Sequence, residues 1–275
     1  MIASVRLGTQ GWNYPAWIGP LYPSGTPRAD MLGLYGRVFS TVEVDSTFYA
    51  IPPEPVVRAW REKVPADFKF ALKVPQQVTH ESRLVGVEDV LTKFLNRVEQ
   101  LGDRLGPLLL QLPPDFVPSE PARAVFAKFV RDLSGLHQWA VEFRDAGWIT
   151  RETLSLLAQA GIALTLTEGR WIRRDWMLKL AEQPTADFAY VRWLGPDRRI
   201  TNFGEVQVAR EDELDAWADA VRTLGTRVRE VYGFANNHWQ GHGPASVRLL
   251  QRRLGLPVID PARLRTQAEL FSERR

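Results

Sequence analysis

Two charged residues that alternate with apolar ones are the first candidates for chemistry. Glu142 and Arg144 stand on either side of Phe143, after Ala140 and Val141. This period of two is typical of a β-strand and places both charges on one face. A carboxylate can accept or donate a proton, and a guanidinium binds carboxylates and phosphates through parallel hydrogen bonds. The spacing therefore predicts either a working site or a structural ion pair.

Further polar residues stand at or near the ends of other apolar segments. Glu43 and Lys73 lie in short segments rich in Val, Phe and Leu, and His80 follows on a polar loop. We predict that Glu142, Glu43 and His80 are catalytic, with His80 as a proton shuttle. A histidine bonded to the backbone is the alternative for His80. In the structural alternative for the charges, Glu142 pairs with Arg144. In the same alternative, Glu43 pairs with Lys73.

A second set of residues is predicted to bind the substrate. Its members are cationic, amide or aromatic: Lys73, Arg144, Arg192, Gln111, Asn236, Asn237, Trp12, Tyr14 and Tyr49. The cations would hold an anion, the amides a sugar or base edge, and the aromatic rings would stack on the ligand. Phe48, Trp148 and Trp193 are further candidates for this stacking wall. The alternatives are packing between strand and helix for the aromatics and loop-shaping bonds for the amides.

The chain carries no strong motif for a metal or a cofactor. Cysteine is absent, which excludes disulfides, Cys-ligated zinc and thiol nucleophiles. His238 and His242 have the spacing of a helical metal pair, but Gly241 and Gly243 disfavour a helix there. We therefore predict no cofactor and assign no metal ligand, although one hypothesis below includes a divalent metal.

Eight apolar segments that alternate with helical patterns must position these residues. Strands are predicted at residues 5–8, 41–45, 68–74, 108–112, 140–144, 162–167, 188–193 and 228–235. Ser119 and Thr150 are typical helix N-caps, and Gly161 is suited to follow the last turn of a helix. The alternation predicts an α/β fold, a single (β/α)8 TIM barrel with eight parallel strands, and an open doubly wound sheet is the alternative. We expect one domain over residues 1–275, with a mobile basic tail at 260–275.

Composition narrows the class of protein and of partner. Hydrophobic residues make up 45% and charged residues 24%, as in a globular protein with a substantial core. The formal net charge of +3 permits nucleic-acid binding without indicating it. No secretory signal opens the sequence, and no apolar run approaches the ~20 residues that span a bilayer. We predict a cytoplasmic protein with no membrane partner.

Several motifs together resemble the YecE-like family, domain of unknown function 72. They are, in chain order, Gly8–Tyr14 with Trp17, Gly19 and Tyr22-Pro23; residues 39–49; Lys73 with Thr79-His80; residues 106–116; Glu142–Arg144 with Trp148; and residues 234–237. Three positions depart from the pattern, with Gln10 in place of Ser, Asp45 in place of Asn and Ala235 in place of Phe. None of these removes a candidate catalytic group. The resemblance implies a TIM barrel and no established reaction.

Three functions remain open. The first is an enzyme that uses acid/base chemistry on a small anionic substrate, such as a phosphorylated sugar or nucleotide-like compound, at the C-terminal mouth of the barrel. Hydrolase, lyase and isomerase chemistry are not distinguished.

The second function is a metal-assisted phosphodiesterase or nuclease acting on DNA or RNA, with a divalent metal held by Glu43, His80 and Glu142. Its basic surface would be formed by Arg170, Arg173, Arg174, Arg198 and Arg199. The third is a non-catalytic barrel that only binds a ligand. The sequence predicts no oligomeric state.

Overall fold

The eight predicted parallel strands are present and form one barrel. The computed structural model describes residues 3–133, 135, 137–196 and 199–264. In this part of the chain the strands are β1 Ser4–Thr9, β2 Thr41–Val44, β3 Lys69–Lys73, β4 Leu105–Gln111, β5 Trp139–Glu142, β6 Ala163–Gly169, β7 Phe188–Gly195 and β8 Glu230–Ala235. Consecutive strands from β2 to β8 pair in order, and β1 pairs with β8. The single (β/α)8 barrel is confirmed, and the open sheet is not found.

Helices connect the strands and cover the outside of the barrel. Within the described residues they are α1 Arg28–Tyr35, α2 Glu54–Lys63, α3 Glu88–Val98, α4 Glu120–Asp132, α5 Arg151–Ala160, α6 Arg174–Leu180, α7 Glu211–Gly225, α8 Asn237–Gln240 and α9 Gly243–Arg253. Ser119 and Thr150 cap α4 and α5 through their side-chain oxygens, and Gly161 follows α5 at φ 66°. None of the described helices combines the length and the apolar character needed to cross a membrane.

The first and second strands meet at a seam rather than a continuous ladder, with one isolated bridge between them. The Tyr35 hydroxyl accepts a hydrogen bond from the Thr9 amide at 2.8 Å and donates to the Thr41 carbonyl at 3.0 Å. A Cβ on Gly8 would lie 2.0 Å from the same carbonyl oxygen, so only glycine permits this approach. The Tyr35 side chain therefore links β1 and β2 where a continuous backbone ladder is absent.

The barrel interior is filled by side chains from alternate strand positions. This inner core consists of Ala71, Leu109, Ala140, Ala163, Phe188, Tyr190, Tyr232 and Phe234. Residues two positions further along a strand lie on the same face and nearer the C-terminal mouth. Glu142 follows Ala140 in this way, Lys73 follows Ala71, and Arg192 follows Tyr190.

Two predictions, the end of the fifth strand and the mobile tail, differ from the structure or lie partly outside the described residues. The predicted strand 140–144 ends at Glu142, so Arg144 lies on the following loop. Of the predicted mobile tail at 260–275, only residues 260–264 are described, and Leu264 there is 3% exposed. The rest of that prediction lies outside the described residues.

Candidate functional site

Arg192 joins two buried glutamates at the mouth end of the barrel interior. Its Nη2 lies 2.6 Å from Glu43 Oε1, its Nε lies 2.9 Å from Glu43 Oε2, and its Nη1 donates to Glu142. The Tyr190 hydroxyl donates to Glu43 Oε2 at 2.7 Å. The three charged side chains are only 3%, 0% and 1% exposed. We call Glu43, Arg192 and Glu142 the buried triad.

The triad corrects the structural alternative, in which Glu43 paired with Lys73. Arg192, brought in from β7, is the partner of Glu43 instead. Arg192 was predicted to bind substrate, and the structure directs three of its nitrogen atoms to glutamates. Sequence reasoning missed Tyr190, although its place two residues before Arg192 on a strand puts it on the same face.

The two glutamates of the triad differ in ionisation. Burial raises the pKa of Glu43 to about 7, against the lowering effect of Arg192. Burial acts on Glu142 in the same direction, but Arg192 and Arg144 outweigh it and hold the Glu142 pKa below its usual value. Burial therefore favours the protonated form of Glu43, while the two arginines favour the ionised form of Glu142. Two carboxyls whose environments separate their pKa values are typical of acid/base sites.

Arg144 connects the triad to the loops above it. Its Nε donates to Glu142 Oε1 at 3.1 Å, and its Nη2 donates to Gln111 Oε1 at 2.8 Å. Its guanidinium carbon also lies 5.6 Å from the centroid of the Trp171 ring, and that of Arg170 lies 4.3 Å from it. Trp171 thus contacts two guanidinium groups, an arrangement stabilised by cation–π attraction. Sequence reasoning missed Trp171 because it lies on a loop, where no periodicity indicates direction.

A cavity of about 270 Å³ opens above the triad. Its charged lining consists of Lys73, Arg144, Arg170, Arg192 and Asp45, four cations and one carboxylate. Neither Glu43 nor Glu142 is among the lining residues, since both lie behind Arg192. The volume is near the lower end of the ~300–1,000 Å³ typical of ligand pockets and fits a small metabolite.

Lys73 presents its amine to this cavity. Its Nζ lies 3.8 Å from the centroid of the Phe48 ring, and the residue is 9% exposed. Within the described residues, Lys73 Nζ has no ion pair and no hydrogen bond. Burial lowers its pKa to about 8, partly offset by Asp45, while Arg192 lowers it further.

Asp45 and Gln10 also line the cavity, although the predicted site did not include them. Asp45 Oδ1 lies 3.6 Å from Arg192 Nη2 and has no hydrogen-bond partner among the described residues. The amide groups of Gln10 and Asn236 lie 2.7 Å apart. Asp45 comes two residues after Glu43, a spacing that places both on one face of the predicted strand 41–45. Both residues are positions where the chain departs from the motifs that it resembles.

His80 lies beside the site and does not line the cavity. It belongs to a π-helical turn, Gln77–Glu81, and its Nδ1 lies 2.8 Å from Thr79 Oγ1. Burial, followed by the charges of Lys73 and Arg144, lowers its pKa to about 4. His80 is therefore neutral at pH 7, where it is a poor proton donor. Its role as a proton shuttle stays a prediction.

The predicted aromatic residues fall into different places. Tyr49 is 73% exposed at the rim and lines the cavity. Tyr14 donates to the Gln10 carbonyl at 3.2 Å, and burial together with Asp45 raises its pKa to about 12. Trp12 packs edge-on against Trp60 with ring centroids 5.6 Å apart and does not line the cavity.

Trp148 and Trp193 follow the alternative given for the aromatics: both are buried packing residues, and neither lines the cavity. Trp148 is stacked between Phe116 and Phe143, with ring centroids 5.4 and 5.3 Å away. Trp193 packs against Trp239 at 5.8 Å on the outer side of β7. Alternation explains the outcome for Trp193, because its neighbour Arg192 faces inward.

The two asparagines after β8 also have separate roles. Asn237 Oδ1 accepts from Trp17 Nε1 at 3.2 Å and from the Gly243 amide at 2.9 Å, so its side chain shapes the loop. Asn236 caps α8 by accepting from the His238 amide at 2.8 Å, and it lines the cavity.

The hypothesised metal ligands are not assembled. Among the described residues, no three histidine or acidic side chains come close enough together to hold a metal ion, and this includes Glu43, His80 and Glu142. The predicted helix break between His238 and His242 is present, with Gly241 at φ 110°.

Two of the five arginines proposed as a nucleic-acid surface, Arg173 and Arg174, are paired with carboxylates. Arg173 forms two hydrogen bonds with Asp175, at 2.9 and 2.8 Å. Arg174 lies 2.7 Å from Glu168 and 3.3 Å from Glu213. Arg198 lies outside the described residues.

Comparisons with known proteins agree with the fold and the motifs. Residues 6–268 match the family described as "Protein of unknown function DUF72". The UPF0759 protein YecE of Escherichia coli K12 is 30% identical over 220 residues, which cover 72% of this chain and 76% of YecE. The UPF0759 protein YunF of Bacillus subtilis is 23% identical over 258 residues, covering 86% and 90%. A crystal structure of a DUF72 family protein from Thermotoga maritima has 28% identity and a TM-score of 0.75, covering 90% and 97%. One from Enterococcus faecalis, at 20% identity, has a TM-score of 0.74 and supports the fold alone, covering 93% and 99%.

Proposed function

Since this chain belongs to the DUF72 family of proteins of unknown function, its activity must be inferred from its own site, and we propose an enzyme that uses acid/base chemistry on a small anionic substrate. The observation that carries the proposal is the charge of the cavity lining, four cations against one carboxylate. With the two triad glutamates counted, four cations still stand against three carboxylates, and among the described residues Lys73 and Arg170 form no ion pair. A bound phosphate or carboxylate would balance the charge.

We assign the binding of the anionic group to Arg144 and Arg170. Both guanidiniums lie against the Trp171 ring and line the cavity. Arg144 is further fixed by Glu142 and Gln111, so less side-chain entropy is lost when a ligand binds. Arginine also presents donors in a fork that matches a phosphate or carboxylate.

Proton transfer is assigned to the two ionisable groups that face the cavity beside the anion site. Lys73, with a pKa of about 8, exchanges protons at neutral pH more readily than an ordinary lysine. Asp45 supplies a carboxylate oxygen that no described residue occupies with a hydrogen bond. Glu43 and Glu142, predicted as catalytic, act in this proposal by positioning Arg192 and Arg144. The cytoplasm remains the proposed location.

Nuclease activity has less support from the structure, because Arg173 and Arg174 are paired with carboxylates. The test compares inorganic phosphate and a single-stranded oligonucleotide by titration calorimetry at several salt concentrations. We expect phosphate to bind with a shallow salt dependence, and Arg144→Ala to weaken it at least tenfold. Arg173→Ala is the matched control and should leave it unchanged.

Three results would contradict this proposal. The first is tight oligonucleotide binding with a steep salt dependence, in which the logarithm of the binding constant falls by ~0.7 per phosphate contact for each tenfold rise in salt. This result would favour the nucleic-acid function. Phosphate binding that is equally strong in Arg144→Ala would remove the anion site. Binding of sugar phosphates without turnover of any of them would favour the ligand-binding barrel.

A further inference from the structure

We propose that Lys73 is a nucleophile, which forms an imine with a carbonyl group of a substrate that also carries a phosphate or carboxylate. This inference rests on the proposed function, because the anion site at Arg144 and Arg170 holds the substrate. It adds the chemical class of the substrate, an anionic aldehyde or ketone, and the covalent step.

The surroundings of Lys73 are those of a reactive amine. It is the cavity's one lysine among the described residues, it is 9% exposed, and its Nζ lies over the Phe48 ring. No described residue forms an ion pair or a hydrogen bond with that nitrogen. By contrast, Lys69 on the same strand donates to the Asp103 carbonyl at 2.5 Å, and Lys128 pairs with Asp132 at 2.7 Å.

The nearby carboxylates are committed to other partners. Glu43 binds Arg192 and the Tyr190 hydroxyl, and Glu142 binds Arg192 and Arg144. Their charges, with that of Asp45, favour the ammonium form of Lys73, but burial and Arg192 oppose them and the pKa falls to about 8. At pH 7 the neutral amine, which is the nucleophile, is therefore a larger fraction of Lys73 than of an ordinary lysine.

The proposed step balances in atoms and electrons. The neutral amine adds to the carbonyl carbon, so a C–N bond forms and the carbonyl electron pair moves to oxygen, which takes up a proton. The nitrogen then loses its protons, the oxygen departs as water, and a C=N bond remains. Nothing is oxidised or reduced. Asp45 lines the same cavity and is the group placed to carry protons from the nitrogen to the departing oxygen.

The cavity sets the size of the substrate. Lys73 and Arg170 line one space of about 270 Å³, so a compound of a few carbon atoms can place its carbonyl at one residue and its anionic group at the other. The imine would withdraw electrons from the adjacent carbon, which is the chemistry needed to break a bond there or to move a proton.

The experiment traps the imine with sodium borohydride, using dihydroxyacetone phosphate as the probe. Reduction leaves a stable secondary amine, whose mass exceeds that of the protein by the probe, less one water, plus two hydrogens. Peptide mapping should place this adduct on Lys73, and inorganic phosphate should suppress it by competition. Lys73→Arg should abolish it while retaining phosphate binding. Lys69→Arg, on the same strand, is the matched control and should keep it.

A second measurement does not depend on the probe chosen. Trinitrobenzenesulfonate is an anionic reagent for neutral amines, and at pH 7 it should label Lys73 at least tenfold faster than Lys69. An adduct spread evenly over many lysines, or equal labelling of Lys73 and Lys69, would overturn the proposal. Rapid labelling of Lys73 without any borohydride adduct would overturn the carbonyl substrate.

The failure of this inference and the failure of the proposed function are distinguishable. Phosphate binding that depends on Arg144, together with slow labelling of Lys73 and no adduct, would remove only the imine. Absence of phosphate and probe binding would remove the anion site and the imine together.

Discussion

The barrel interior holds an arginine, a glutamate and a tyrosine in contact at each end, and the two groups differ in charge and burial. At the N-terminal base, Arg6 Nε lies 2.6 Å from Glu230 Oε1, and the Tyr232 hydroxyl donates to Glu230 Oε2 at 2.8 Å. We call these three residues the base cluster. Arg6 and Glu230 are 16% and 20% exposed, whereas the charged residues of the buried triad are at most 3% exposed.

The difference shows which feature marks a site. The base cluster contains one positive and one negative group that satisfy each other, and Arg6 also donates to the Asp67 carbonyl at 2.9 Å. At the mouth, Arg192 of the triad lines a cavity together with Lys73, Arg144 and Arg170. An ion pair inside a barrel is therefore no sign of function by itself. An excess of one charge around an open cavity does indicate a functional site.

The largest contrast is expected from removal of the central arginine. Arg192→Met leaves two buried carboxylates without their partner and should lower the free energy of unfolding by about 3–5 kcal/mol. Arg6→Met breaks a partly exposed pair and should cost about 0–1 kcal/mol. Urea unfolding followed by tryptophan fluorescence measures both. Equal losses would show that the two clusters are energetically alike.

The next contrast concerns pH. Folding raises the pKa of Glu43 from 4.5 to about 7, so it favours the protonated form. This stabilisation is complete below pH 4.5 and is lost as pH rises to 7, a change of up to about 3 kcal/mol. It should appear as the difference between the pH profiles of unfolding for the wild type and Glu43→Gln. The same subtraction with Glu230→Gln places the base cluster on one scale with it. Parallel profiles for wild type and Glu43→Gln would contradict the ionisation described for the triad.

A smaller effect is expected on anion binding, which only the mouth should show. Lys73 loses its charge as pH rises through about 8, so sulfate, whose own charge is constant in this range, should bind roughly threefold to tenfold more weakly at pH 9 than at pH 7. Lys73→Arg should remove the share of the pH dependence that comes from Lys73 and leave the share from Glu43, whose pKa is about 7. Arg6→Met should leave the whole pH dependence intact. Titration calorimetry at both pH values decides, and a flat profile in the wild type would speak against the assignment of Lys73.

The smallest contrast is between the two tyrosines. Tyr190→Phe removes a donor from fully buried Glu43, while Tyr232→Phe removes one from partly exposed Glu230. We expect losses of about 2 and about 1 kcal/mol in the free energy of unfolding. A greater loss in Tyr232→Phe would contradict the expectation that the more buried hydrogen bond contributes more to stability.

The fold and the direction of several side chains followed from local periodicity. The alternation around Glu142 places it inward, and the helix caps at Ser119 and Thr150 are where the sequence puts them. The same alternation, applied to β7, would also have placed Trp193 outside and Tyr190 inside.

The pairing of charges could not be obtained in this way. Glu43 has Lys73 and Arg192 as equally reasonable partners, and only the closure of the barrel brings Arg192 to it from the far side of the sequence. Trp171 and Arg170 lie on a loop, where side-chain direction depends on tertiary contacts rather than on a repeat. Periodicity fixes the face of a residue, while its partner depends on the whole barrel.

The seam between β1 and β2 has a consequence for the order in which the chain is made. The backbone ladder of β1 is formed with β8, from Ser4 opposite Glu230 to Thr9 opposite Ala235. On the side of β2 it meets chiefly the Tyr35 hydroxyl. β1 leaves the ribosome before β8 and therefore waits for it before gaining a continuous partner, and such a distant pairing closes late. Until then, the backbone N–H and C=O groups along the edge of β1 have no continuous partner. Gly8, which allows the close approach to β2, adds no side chain to cover them.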